Sequence, residues 1–121
     1  MIIDIQNLKI NYIQEGHGQD ALILHGWGCN SQTVMPIYNL LKRHYRVTAV
    51  DLPGFGESAK PETPFDSYDY ANVIKQFIDK LGLTRIVLFG HSHGGRISII
   101  LSSQYPELID KLILIDSAGI I

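Results

Sequence analysis

Near the middle of the chain, Gly90-His91-Ser92-His93-Gly94 satisfies the pattern G-x-S-x-G. The motif stands between an apolar run, "RIVLFG", and a stretch with helical character, "GRISIILSSQY". A serine at the tip of such a strand-to-helix turn has its hydroxyl presented for nucleophilic attack. The turn imposes a strained backbone on that serine and needs small residues two positions away on either side. Gly90 and Gly94 supply the room, and Gly95 lets the helix start close to the sheet. The helix N-terminus aims backbone N–H groups at the serine, where negative charge develops during acyl transfer.

The same stretch has a phosphate-binding alternative. A strand, a glycine turn, a helix and a second strand ending at Asp116, roughly 20 residues past Gly94, have the layout of a dinucleotide-binding unit. Three features oppose it. The fingerprint G-x-G-x-x-G needs glycine where Ser92 stands, the turn follows the fifth strand and not the first, and bulky His91 and His93 flank the centre. A glycine-rich turn without chemistry is the other alternative. Cys29 is the only cysteine, so there is neither an intrachain disulfide nor a cysteine cluster for zinc. It is expected to be a buried or half-buried spectator.

The elements around Ser92 follow from hydrophobic spacing. Ile3 and Ile5 alternate with polar neighbours, Gln6-Asn7 can turn, and Leu8, Ile10 and Tyr12 alternate again, which predicts two short strands. "EGHGQD" is a loop, and "ALILHG" is a continuous apolar run of the kind buried on both faces. Val34, Ile37, Leu40 and Leu41 follow helical spacing, with Pro36 in a first turn or at a kink. "YRVTAVDLPG" is a strand stopped by Pro53 and Gly54, and "ESAKPETPFDS" is a loop. Ser67 offers an N-cap for a helix carrying Tyr70, Val73, Ile74, Phe77, Ile78 and Leu81, ended by Gly82. "RIVLFG", "GRISIILSSQY" and "KLILID" are then strand, helix and strand. The alternation predicts one α/β domain over residues 1–121, a three-layer α/β/α sandwich. Four of its six strands should be parallel, behind an antiparallel lead-in. In such sheets function gathers at the carboxyl ends of the strands, where "HGWG", "DLPGFGES" and "GHSHGG" lie.

Composition narrows the function classes. The chain has 121 residues, 45% hydrophobic and 18% charged, the balance of a globular protein. A net charge of −2 leaves no electrostatic footprint for nucleic acid. The aromatics from Phe55 to Tyr70 have only Lys60 among them as a basic residue. The N-terminus, "MIIDIQNLKI", lacks the basic start and unbroken apolar core of a signal peptide, and no apolar run approaches the ~18 residues of a membrane span. A cytoplasmic protein is expected.

In kind, order and spacing, "HGWG", "DLPGFGES" and "GHSHGG" resemble the N-terminal part of the α/β-hydrolase-fold superfamily, and the resemblance covers essentially the whole chain. It implies that Ser92 is the nucleophile, that the N–H of His93 is one oxyanion donor, and that the N–H of Trp27 is the other, with Gly26 letting the backbone approach. It implies a serine hydrolase of esters or related acyl substrates, with neither metal nor organic cofactor. Dehalogenases and epoxide hydrolases of this fold carry aspartate at the Ser92 slot and are disfavoured.

A serine needs a general base, and in this fold the order is Ser, then Asp or Glu, then His. After Ser92 the acids are Glu107, Asp110 and Asp116, and the only later histidine is His93, adjacent to the serine on a tight elbow. His25 is expected to orient the oxyanion loop, with a base role as the lesser alternative, and His91 to pack beside the elbow. His17 and His44 are expected at the surface. Asp116 is an orienting or structural residue first and a triad acid second. Asp51 is a loop-bracing carboxylate, since Pro53, Gly54 and Gly56 demand a defined turn. The resemblance implies further strands and a catalytic histidine beyond "SAGII", so truncation is expected. A short relative that binds a ligand without turnover is the alternative. With "KLILID" at an exposed sheet edge, the isolated chain is expected to self-associate.

Overall fold

Alternation along the strands sorts side chains into two cores. In the computed structural model, which describes residues 1–26 and 29–115, the chain runs β1 (Ile2–Ile5), β2 (Leu8–Glu15), β3 (Asp20–Leu24), α1 (Met35–Leu41), β4 (Arg46–Val50), α2 (Ser67–Leu81), β5 (Ile86–His91), α3 (His93–Gln104) and β6 (Ile109–Ile115). The strands form one six-stranded sheet in the order β1-β2-β4-β3-β5-β6. β1 and β2 are antiparallel, β2 meets β4 antiparallel, and β4, β3, β5 and β6 run parallel. Gln6 and Asn7, with φ of 53° and 63°, make the left-handed two-residue turn that suits the twist of the first hairpin. The architecture is the α/β/α sandwich that the sequence predicts.

Leu22 and Leu24 of β3, with Ile86 and Leu88 of β5, face α2 and α3 and pack on Ile74, Phe77, Ile97 and Leu101. Ala21, Ile23, Val87 and Phe89 point the other way, onto Val34 and Tyr38. The strands therefore have no solvent face, which is why they are apolar from Ala21 to Leu24 and from Ile86 to Phe89. At their N-terminal ends, buried Asp20 accepts from Arg46 Nε (2.6 Å) and from the Thr84 N–H (2.9 Å), tying β3 to β4 and β5.

Five local details depart from the sequence reading. A 3-10 turn, Ser31–Val34, precedes α1 and is capped by Asn30, so α1 is short and Pro36 falls in its first turn. Val34, Tyr38 and Leu41 face the sheet while Leu40 is 65% exposed. The N-cap of α2 is Asp66, not Ser67: its carboxylate accepts from the Asp69 N–H (2.8 Å) and Asp69 returns the bond to the Asp66 N–H (2.9 Å). That reciprocal pair satisfies two otherwise orphan donors, which Ser67 followed by Tyr70 cannot do. Helix α3 starts at His93, two residues before Gly95, and β6 starts at Ile109, two residues before Lys111.

Candidate active site

Ser92 is the single residue between β5 and α3, with φ 55° and ψ −117°. For a residue with a Cβ this is a strained conformation, persisting only where the surroundings over-determine it. They do so here. The Ser92 N–H donates to the Ile115 carbonyl of β6 (3.2 Å), and the Ser92 carbonyl accepts from the Gly95 N–H (2.9 Å) in the first turn of α3. The helix must lie almost on the strands for this. A Cβ at Gly90 would sit 2.5 Å from Ser98 Oγ and 2.6 Å from Gly95 Cα. A Cβ at Gly94 would collide with the Leu24 and His25 carbonyl oxygens. Ser98, fully buried, donates to the Gly94 carbonyl (2.7 Å) and completes the helix–strand contact. The sequence reading missed Ser98; its place one helical turn beyond Gly94 is the signal that could have found it.

The second loaded loop follows β3. His25 is fully buried, with Nδ1 2.8 Å from the Gly26 carbonyl and Nε2 accepting from the Leu52 N–H (2.9 Å). These partners require the neutral ring with its proton on Nδ1. Burial holds its pKa below the ordinary value. Both ring nitrogens are committed to backbone partners, one in each loop, so neither is placed to take a proton from Ser92. The Gly26 carbonyl also accepts from the Cys29 N–H (3.1 Å). A Cβ at Gly26 would lie 2.9 Å from both His91 Nδ1 and Ser92 Cβ, so this backbone rests directly against the elbow. Trp27 and Asp116 lie outside the described residues. His93 packs its ring edge-to-face on Tyr70 at 5.2 Å. Burial and then the charge of Arg96 push its pKa down. His91 is half-buried beside Gly26; His17 and His44 are exposed near the starts of β3 and β4, the far end of the sheet.

Asp51 joins the loops. Its buried carboxylate accepts from the Ser31 N–H (2.6 Å), Asn11 Nδ2 (3.0 Å) and the Glu57 N–H (3.0 Å). Gly56 leaves the space that the carboxylate occupies. Burial alone would raise the Asp51 pKa, but the bonds from Glu57, Asn11 and Ser31 outweigh it and hold the group below its usual value. A carboxylate depressed in the folded state adds stability that is complete above the unfolded pKa, about 3.9, and is lost as pH falls through the folded value. His25, kept neutral, adds a second acid-sensitive contribution that starts to fade below about pH 6.5. Asp51→Asn puts an amide N–H₂ among these donors and should cost about 1–3 kcal/mol at pH 7. Its urea midpoint should also vary less with pH below about 4 than that of the parent chain. Parallel midpoint–pH curves for the two proteins would show that Asp51 does not supply this acid sensitivity.

Among the described residues, no group of three or more His, Cys, Asp or Glu side chains could hold a metal ion, and no helix is long and apolar enough to cross a membrane. The sequence pattern of the alpha/beta hydrolase fold matches residues 22–120, and the chain belongs to that family. A 2-(acetamidomethylene)succinate hydrolase from Mesorhizobium japonicum is 35% identical over 94% of this chain and 41% of its own length. The crystal structure of a bacterial membrane phospholipase A superposes with a TM-score of 0.95 at 33% identity, over all of this chain and 40% of that one. An esterase from Exiguobacterium antarcticum gives a TM-score of 0.91 at 33% identity, over 98% of this chain and 45% of its own. The chain thus spans less than half the length of each.

Proposed function

We propose that the protein is a serine hydrolase of carboxylic esters or related acyl compounds, acting through an acyl-enzyme on Ser92. The observation that carries this reading is the strained backbone of Ser92 between β5 and α3, held by contacts that glycine alone permits at positions 90 and 94. Ser92 Oγ attacks the acyl carbonyl as a base takes its proton, and the carbonyl oxygen becomes an oxyanion. The N–H groups of His93 and Trp27 receive that charge, the first at the positive end of α3. Collapse of the tetrahedral intermediate expels the alcohol or amine, and water then releases the acid. His25 bonds the Gly26 backbone that rests on the elbow, and Asp51 braces the loops on either side. The base and its orienting acid are proposed to be residues outside 1–121, consistent with the share of its relatives that this chain spans. The named activities of those relatives, a hydrolase and an esterase, agree with acyl transfer.

Covalent labelling tests the assignment. A fluorophosphonate should leave one adduct, located by peptide mass spectrometry on Ser92, in the protein extended to the length of its relatives. Ser92→Ala should show none. An adduct that persists in Ser92→Ala refutes the role of Ser92, and an unreactive parent protein favours a ligand-binding module of the same fold.

A further inference from the structure

The loop from β4 to α2 folds back on itself and leaves a cleft of about 580 Å³. Its apolar walls are Pro53, Phe55, Pro61, Pro64, Phe65 and Tyr70. Two of these walls touch the elements that carry the site. Phe55 sets its ring edge-to-face on His25 at 5.6 Å, and Tyr70 does the same on His93 at 5.2 Å. His25 precedes the Gly26 backbone that rests on the elbow, and His93 directly follows Ser92. Two of the cleft's walls therefore stand one side chain away from the residues that flank the elbow.

We propose that this cleft is the subsite for the apolar portion of the substrate, an uncharged alkyl or aryl group attached to the ester that Ser92 attacks. This rests on the acyl-hydrolase reading above. The volume falls in the range of small-molecule sites, roughly 300–1,000 Å³. The walls are stiff. Three are prolines, and Phe65 is fixed edge-to-face on buried Tyr70 at 5.2 Å. A pre-formed apolar surface loses little conformational entropy when it is filled, so contact area translates into selectivity. The two charged lining residues, Lys60 and Glu62, are exposed and of opposite sign, so they give no net preference for an ionic group. Each methylene buried there should raise selectivity about fourfold until the cleft is full.

Two measurements test this separately from the chemistry at Ser92. In the protein extended as above, Ser92 should be labelled faster by an octyl than by an ethyl fluorophosphonate. Thr63→Trp places a large side chain into the cleft from an exposed lining position and should bring that ratio towards unity. Phe65→Ala, which widens the cleft, should move the optimum to longer chains. An octyl-to-ethyl ratio that neither variant alters overturns the proposal. In the second measurement, 1-octanol is titrated into the isotope-labelled chain carrying Ser92→Ala. It should shift the amide resonances of Phe55, Phe65 and Tyr70, and Thr63→Trp should suppress those shifts. Shifts without fluorophosphonate labelling would keep the cleft and remove the acyl-enzyme. Labelling without shifts or chain-length preference would do the reverse.

Discussion

Replacing Ser92 with glycine should abolish turnover and make the protein more stable at the same time. The proposed nucleophile is lost, and removal of such a serine costs roughly 10⁶-fold in kcat where it acts with a base. The backbone, at φ 55° and ψ −117°, meanwhile becomes one that its residue adopts freely. Strain of this kind costs about 1–3 kcal/mol, and glycine returns about 0.5–1 kcal/mol of it through the freedom of its unfolded chain. A net gain of about 1 kcal/mol remains, a rise in Tm of about 4 °C for a domain of this size. Ser92→Ala provides the control, losing turnover equally while keeping a Cβ and therefore the strain. The pair separates chemistry from conformation. If Ser92→Gly melts at or below Ser92→Ala, no releasable strain is stored at the elbow, and the geometric argument for a nucleophile loses its main support.

The parts of the fold legible in the sequence were those set by burial. Strands covered on both faces must be apolar at every position, so "ALIL" and "RIVLFG" announce themselves without their neighbours. The elbow was legible for a related reason. Gly90 and Gly94 are dictated by backbone packed on backbone, a requirement that no other residue type meets. Short elements were less legible. Helix α1 is too short for periodicity to define its inner face, so Leu40 reads as core yet lies in solvent while Tyr38 is buried. At α2 two adjacent capping residues compete, and Asp69, three positions beyond Asp66, decides between them.

Contacts across the sheet were the least legible. That Asp51 braces a loop follows from the turn residues after it. That its partners are Ser31 and Asn11 depends on β2 lying next to β4, an adjacency that the order of elements along the chain does not reveal. The same holds for His25. Its burial and its bond from Leu52 come from β3 and β4 being parallel neighbours, whose ends bring two separate loops together.

Gly94→Ala should be strongly destabilising. The new Cβ would overlap the carbonyl oxygens of Leu24 and His25, both backbone atoms, so no side-chain rotation can relieve the clash. Helix α3 would have to lift from β3, breaking the contacts of Ile97 and Leu101 with the sheet. Overpacking of this kind costs about 1–3 kcal/mol where side chains can yield, and more where they cannot, a large share of a typical domain stability of 5–15 kcal/mol. Gly82→Ala isolates the backbone part of the effect. It adds a Cβ at φ 70°, but nothing lies within 4 Å of it, so only the left-handed conformation is penalised, by about 1–2 kcal/mol. Urea midpoints should therefore fall in the order parent, Gly82→Ala, Gly94→Ala. Any folded Gly94→Ala protein should also label slowly with a fluorophosphonate. The lifted helix would carry the His93 N–H away from the oxyanion it is proposed to hold, a loss of about 10²–10³-fold where one donor is removed. A Gly94→Ala midpoint equal to that of Gly82→Ala would mean that α3 has slack against the strands, and Ser92 would then be held less rigidly than catalysis by this elbow requires.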